Sequence, residues 1–230
     1  MADASRDVRL GHEWGFSGPS LVVPGGGGIR LEEFGVSPVP VTLPEELPEV
    51  PVIVNPRGQR PGSLRQDVFF QSIPLVLEKI PQAIFVCPPL AGDMEAVRWV
   101  AELGIEARTK LWPFLTQSQL RFLFKKSQVF VSPSVHDGLP NSLLEAMSCG
   151  CFPVVGDIES MREWITPGVN GLLVDATDRQ ALANAIVRAL NETALRSRAA
   201  QINTERIAER AVYARNMARV EEFYRALLAG

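Results

Sequence analysis

From residue 52 onward the chain alternates between short apolar runs and longer stretches in which apolar residues return every three or four positions. The runs at 52–55, 83–87, 128–132 and 152–155 are drawn mainly from Val, Ile and Phe, the pattern of buried strands, and 107–111 reads as a further strand from its place in the alternation. Between them the spacing predicts helices over 65–77, 93–103, 116–125 and from Asn141 to the glycine at 150. The first carries Val68, Phe69, Ile73, Val76 and Leu77, with Pro74 inside it predicting a bend or a shortened end. Thr116 is placed to cap the third, and Leu143, Leu144, Ala146 and Met147 share one face of the fourth. A short helix over 158–165, a Gly/Pro turn at 166–171, a strand at 172–175 and an amphipathic helix over 179–190 follow. Residues 193–230 read as helix, with a break near Asn203 and an apolar stripe running from Ile207 through Met217 and Phe223 to Leu227.

Strands alternating with helices give an α/β fold: a Rossmann-like, doubly wound parallel sheet flanked by helices over 52–192, with 193–230 as a helical tail packing on it. Right-handed crossovers place the loops that follow the strands along one edge, where open α/β sheets bind ligands. Residues 1–51 are the least orderly part and read as a linker and irregular segment, with a possible first strand at 21–23. Four successive glycines, Gly25 to Gly28, follow that strand. A Gly-rich loop in this position can cradle phosphate, but no patterned helix comes directly after it, so a flexible turn is the simpler expectation. The Pro/Glu-rich stretch at 37–51 reads as a surface loop.

Chemistry concentrates in 131–155, VSPSVHDGLPNSLLEAMSCGCFPVV. Strand, loop, helix and strand form one β-α-β unit, and the loop lies at the carboxyl end of a parallel strand. Asp137 stands in that loop, and Glu145, after seven intervening residues, in the second turn of the helix. Between them Gly138, Leu139, Pro140, Asn141 and Ser142 can turn backbone N–H groups toward an anion at the helix N-terminus. Either acid alone reads more simply as a helix cap or a solvated side chain. The spacing, the GLPN loop and the flanking strands together point to a site.

The run HDGLPNSLLEAMSCGCFPVV resembles the signature of the retaining nucleotide-sugar glycosyltransferases of family 4, also called glycosyl transferases group 1, of GT-B architecture. VVPGGGGIRLEEF and PGVNGLLVD resemble further segments of the same family, so the likeness runs from about Leu21 to the C-terminus. It implies a single GT-B half, the C-terminal, donor-binding one, of a hexosyltransferase-type enzyme. The substrate it implies is a nucleoside-diphosphate sugar of unspecified base, with no cofactor and no metal. The partner it implies is an acceptor-binding N-terminal GT-B domain, absent from this chain, without which the chain is expected to be inactive. By the same resemblance Glu145 holds the donor ribose, and Asp137, where the family usually has Glu, orients the donor sugar. Arg57 matches the arginine that holds the donor diphosphate. Arg65 is the best match to the family's lysine, with Arg60 a competing candidate in a longer loop. Trp112 and Phe114 fall where the family lines the nucleotide base, though aromatic residues at a strand end also serve as core. His136 receives no catalytic role. The alternative is a non-catalytic nucleotide- or sugar-binding module derived from such a domain. A receiver domain is set aside, because Asn55-Pro-Arg stands where an acidic cluster is required.

Composition narrows the remaining classes. A net charge of −3 offers no basic excess for nucleic acid or a membrane surface. No apolar run approaches the ~20 residues needed to span a bilayer, and the first residues lack the apolar core of a secretory signal. Cys87, Cys149 and Cys151 lack metal-ligand spacing and read as buried thiols in a reducing cytoplasm.

Overall fold

In the computed structural model the described residues are 1–34 and 41–229. Six strands form one parallel sheet: β1 (Val52–Val54), β2 (Ile84–Cys87), β3 (Thr109–Leu111), β4 (Val129–Ser132), β5 (Phe152–Gly156) and β6 (Leu172–Val174), in the order β3-β2-β1-β4-β5-β6. The helices are α1 (Ser5–Glu13), α2 (Gln66–Leu77), α3 (Met94–Glu102), α4 (Gln117–Lys126), α5 (Asn141–Ser148), α6 (Glu159–Arg162), α7 (Arg179–Asn191), α8 (Thr193–Arg210) and α9 (Tyr213–Ala229). This strand order, reversing direction between β1 and β4, is that of the doubly wound Rossmann-like sheet.

The inner strands β1, β2, β4 and β5 are almost wholly apolar because both faces of the sheet are covered there, whereas the edge strand β3 carries Thr109 and Lys110. Ile53, Phe85, Cys87, Val129 and Val131 point to a core closed by α2, α3 and α7. The alternate residues Val52, Val54, Ile84, Val86 and Phe130 point to a second core under α4, α5 and the end of α8. Each such side chain taken from water contributes about 1.5–3 kcal/mol, and the period-2 alternation divides that contribution between the two layers. Pro74 does not end α2, which continues to Leu77.

Helix ends follow the sequence closely. The side chain of Thr116 accepts from the Gln119 N–H, and the Gln119 side chain accepts from the Thr116 N–H, a capping box that opens α4. Gly150, at φ +84°, closes α5: its N–H donates to Met147 C=O and the Cys151 N–H to Ala146 C=O. That is a Schellman motif, whose left-handed residue favours glycine.

Four expectations for the flanking segments are corrected. Residues 5–13, placed in the irregular segment, form α1, which packs on α6. Residues 21–23 add no strand to the sheet; Val22 instead makes an isolated bridge with Ala2. The glycine run is a packed 3-10 turn, with Gly25 and Gly27 buried and Asn216 Nδ2 donating to Gly27 C=O. The C-terminal helix breaks at Ala211–Val212, where the backbone pairs with Ile29, and not at Asn203. Asn203 is fully buried inside α8 and exchanges hydrogen bonds with Asn170 (2.8 and 3.0 Å), which keeps the helix continuous there. In α9 the predicted stripe is half-buried at Met217, Val220 and Phe223 and exposed at Tyr224 and Leu227. Residues 37–40 of the predicted surface loop lie outside the described residues; in 41–50, Leu43, Leu47 and Val50 turn onto the second core.

Candidate functional site

The loops after β1, β2, β3 and β4 surround a cleft of ≈ 690 Å³ at the carboxyl ends of the strands, where the strand order reverses. That volume suits a small organic ligand. The wall after β1 is Arg57, Gly58, Gln59 and Arg60, and the opposite wall after β4 is Asp137 to Ser142.

Arg57 is held from below. Asn55 and Gln66 are buried and joined at 2.7 Å; Gln66 Nε2 donates to Arg57 C=O at 2.6 Å, and the Arg57 N–H donates to Asn55 Oδ1 at 3.2 Å. This satisfied polar network rigidifies the turn and sends the side chain across the cleft, where Arg57 Nη2 donates to Asp137 Oδ2 at 2.7 Å. Burial pulls the Arg57 guanidinium below its ordinary value, and Asp137 pulls it back. Desolvation and ion pairing therefore oppose each other at one guanidinium, which stays a cation.

The β4–α5 loop presents its backbone. Pro140 precedes the first turn of α5, and Gly138, Leu139, Asn141 and Ser142 line the cleft beside it. Gly25 and Gly26 close the same edge: a Cβ on Gly25 would lie 2.3 Å from Asn141 Oδ1, so the turn depends on glycine for its close approach.

The predicted site residues divide. Arg57, Phe114, Asp137, Gly138, Leu139, Pro140, Asn141 and Ser142 line the cleft together. Arg65 does not. It stands at the start of α2 without a capping side-chain bond, and both branches of its fork bind Asp67, at 2.9 and 2.7 Å, while Arg60 is the one of the two that reaches the cleft. Trp112 is also corrected: it is 1% exposed and belongs to the core, whereas Phe114, two residues on, is 86% exposed at the cleft. Glu145 lies one turn below the cleft, half-buried, in the field of Arg121 and Glu33. His136 is exposed outside the cleft. Among the described residues no three His, Cys, Asp or Glu side chains form a metal-holding group, and no helix is long and apolar enough to cross a membrane.

Residues 58–192 match the family described as glycosyl transferases group 1. The chain belongs to that family. A UDP-Gal:alpha-D-GlcNAc-diphosphoundecaprenol alpha-1,3-galactosyltransferase of Escherichia coli is 27% identical over 119 residues, 50% of this chain and 30% of that protein. The alpha-maltose-1-phosphate synthase of Mycobacterium tuberculosis is 36% identical over 110 residues, 45% of this chain and 28% of that protein. The matches thus span less than a third of those relatives. Among solved structures, Anabaena Alr3699/HepE in complex with UDP-glucose superposes at TM-score 0.81 and 17% identity over 98% of this chain and 63% of its own. The sucrose-phosphate synthase of Thermosynechococcus elongatus superposes at 0.79 and 21% over 99% and 58%. These likenesses establish the GT-B glycosyltransferase fold.

This group 1 glycosyltransferase chain brings to its cleft residues that the sequence did not mark. Asp3 lines it from the N-terminal segment, and Gln59 and Leu120 complete its walls. Nothing local in the sequence singles out Asp3, whereas the glycine run was a visible signal read as a turn. Burial raises Asp3 above the ordinary aspartate range, with Asp7 and Asp137 adding to it.

Glu145 makes stability depend on pH. Burial pushes its carboxyl up, Arg121 draws it down and Glu33 adds to the rise. The folded state therefore binds the proton more tightly than the unfolded chain. The resulting stability is fully present below the unfolded value and is lost as pH rises through the folded one. Glu145→Gln is expected to flatten the fall in thermal midpoint between acidic and neutral pH. An unchanged slope would show that Glu145 is not its source.

Proposed function

We propose that the chain is the nucleotide-sugar-binding half of a retaining, metal-independent glycosyltransferase that moves a sugar from a nucleoside diphosphate to an acceptor hydroxyl. The observation that carries this is Arg57, a buried cation reaching across the strand-order reversal to Asp137 beside the N-terminus of α5. A diphosphate in the cleft meets the guanidinium groups of Arg57 and Arg60 and the N–H groups at the start of α5, which take up charge on the departing diphosphate. Asp137 faces the sugar and orients it through its hydroxyls, and Phe114 lies beside the base. Glu145, one turn along α5, receives the ribose hydroxyls. The bond from the anomeric carbon to the diphosphate oxygen breaks, and the acceptor oxygen bonds to that carbon with retained configuration.

The UDP-glucose bound by the structurally similar Alr3699/HepE supports a nucleotide sugar as the ligand class. The acceptor-binding domain lies outside these residues, so the chain alone binds donor and turns over little. A cytoplasmic location accompanies this role, where the free thiols of Cys87, Cys149 and Cys151 persist.

The test is calorimetric titration with UDP, GDP and ADP. One nucleotide is expected to bind, and Glu145→Ala to weaken it about tenfold, the worth of one charged hydrogen-bonding partner. Binding of none by the folded chain defeats the proposal; binding untouched by the substitution removes the ribose role from Glu145.

A further inference from the structure

The N-terminal segment reaches the cleft from behind the acid loop. α1 is tied to the turn around α6: the Ser5 N–H, the Ser5 hydroxyl and the Arg6 N–H all donate to the Glu163 carboxylate at 3.2–3.3 Å, and Arg9 pairs with Glu159 at 2.8 Å. This anchoring delivers the Arg6 side chain, 14% exposed, to the backbone of Asp137. Arg6 Nη1 donates to Asp137 C=O at 3.1 Å, and the hydroxyl of the buried Ser160 donates to the same oxygen at 2.9 Å. Asp7 Oδ1 accepts from Arg6 Nε and Nη2, at 3.0 and 2.6 Å, which fixes the plane of the fork.

Two donors on one carbonyl determine the direction of its peptide plane. A trans peptide is flat, and its C=O and following N–H point to opposite sides. Neither Arg6 nor Ser160 lines the cleft, while Asp137 and Gly138 do. The carbonyl of Asp137 is thus held away from the cleft, and the N–H of Gly138 is turned the other way. Among the described residues that N–H has no protein acceptor. Asp3, which also lines the cleft, stands beside Gly138, its carboxylate oxygen 3.3 Å from where a Gly138 Cβ would stand.

The geometry points to Arg6 as a positioning residue that, with Ser160, aims the Gly138 N–H into the cleft as a ready donor to the phosphate oxygens of a nucleoside diphosphate. A free Asp137–Gly138 peptide could flip and present its carbonyl, which repels the same oxygens. Holding the plane removes that alternative before the ligand arrives, which is preorganisation of a dipole. The inference rests on the nucleotide-sugar proposal and adds to it a residue that touches no ligand.

The test uses the full chain labelled with ¹⁵N and titrated with UDP, GDP and ADP. In the unmodified chain the Gly138 amide resonance is expected to move as the nucleotide binds. Arg6→Met should weaken binding about five- to tenfold, the worth of one misdirected donor. Arg6→Lys, which still donates to the carbonyl, should stay within about twofold, since the loss tracks that one hydrogen bond. Ser160→Ala, which leaves α1 in place, should weaken binding in the same direction. A Gly138 resonance that stays still while other loop amides move overturns the inference. So does an Arg6→Met chain that melts lower yet binds as before, because a merely structural tie behaves that way. An unmodified chain that binds no nucleotide defeats the nucleotide-sugar proposal itself and this inference with it, a failure visible before any substitution is made.

Discussion

Arg57→Met is expected to abolish detectable nucleotide binding and to destabilise the fold together. Arg57 and Asp137 are 8% and 14% exposed at their side chains and meet at 2.7 Å. Removing one partner of so enclosed a pair leaves an uncompensated charge and costs about 3–5 kcal/mol. Under the proposed function the ligand loses a cation as well, and a fork making two charge-assisted hydrogen bonds is worth about a hundredfold or more in affinity. Arg57→Lys keeps the charge without the planar fork and should fall between the two. Urea unfolding gives the first effect and titration with UDP, GDP and ADP the second. An Arg57→Met chain that binds the preferred nucleotide at full strength would remove the diphosphate from this part of the cleft.

Gly156→Ala is expected to have the next largest effect, through the floor of the site. Gly156 ends β5 directly beneath the acid loop, and a Cβ there would lie 2.0 Å from Ser134 C=O and 2.9 Å from Ser134 N. Both are backbone atoms, so no side chain can turn aside, and the loop must lift. Ser134 in turn places its hydroxyl 3.2 Å from Ser132 and 3.5 Å from Asp137. Overpacking against backbone costs about 3 kcal/mol here, at the upper end of its usual range. In a chain of this size that lowers the thermal midpoint by about 6–12 °C. Nucleotide affinity should fall with it, because Asp137 rides on the displaced loop. A midpoint within a degree of the parent would mean that β5 and the loop are not wedged together.

Most of the sheet was legible because its inner strands are covered on both faces and must be apolar at nearly every position. Four of the six strands and the helices beside them follow from that requirement, β3 from its place in the alternation, and β6 from the Gly/Pro turn before it. The acid loop was legible for a different reason: Gly138, Pro140 and the start of α5 are local features, and a parallel strand places its carboxyl-end loop on the binding edge. Arg57 was within reach, standing three residues beyond the end of β1. Trp112 and Phe114 show the limit. Both follow β3, and only the turn of the chain decides that Trp112 enters the core while Phe114 faces the cleft.

The choice between Arg60 and Arg65 lay beyond the sequence for a similar reason. Arg60 stands in the Pro/Gly loop and Arg65 at its junction with α2, where Asp67 withdraws it, a competition between partners that spacing cannot weigh. Glu145 keeps its expected place on α5, but its surroundings, Arg121 and Glu33, come from segments far along the chain. By itself the sequence determined the α/β class, the β-α-β unit and the acid loop, since these depend on neighbours a few residues apart. Tertiary structure alone decided that α1 stands behind that loop, that Arg6 and Ser160 grip one carbonyl, and that the glycine run closes the cleft. Those contacts join residues in different elements, as far apart as Arg6 and Asp137, or depend on Cβ-sized clearances, and they exist only once the sheet has brought their elements together.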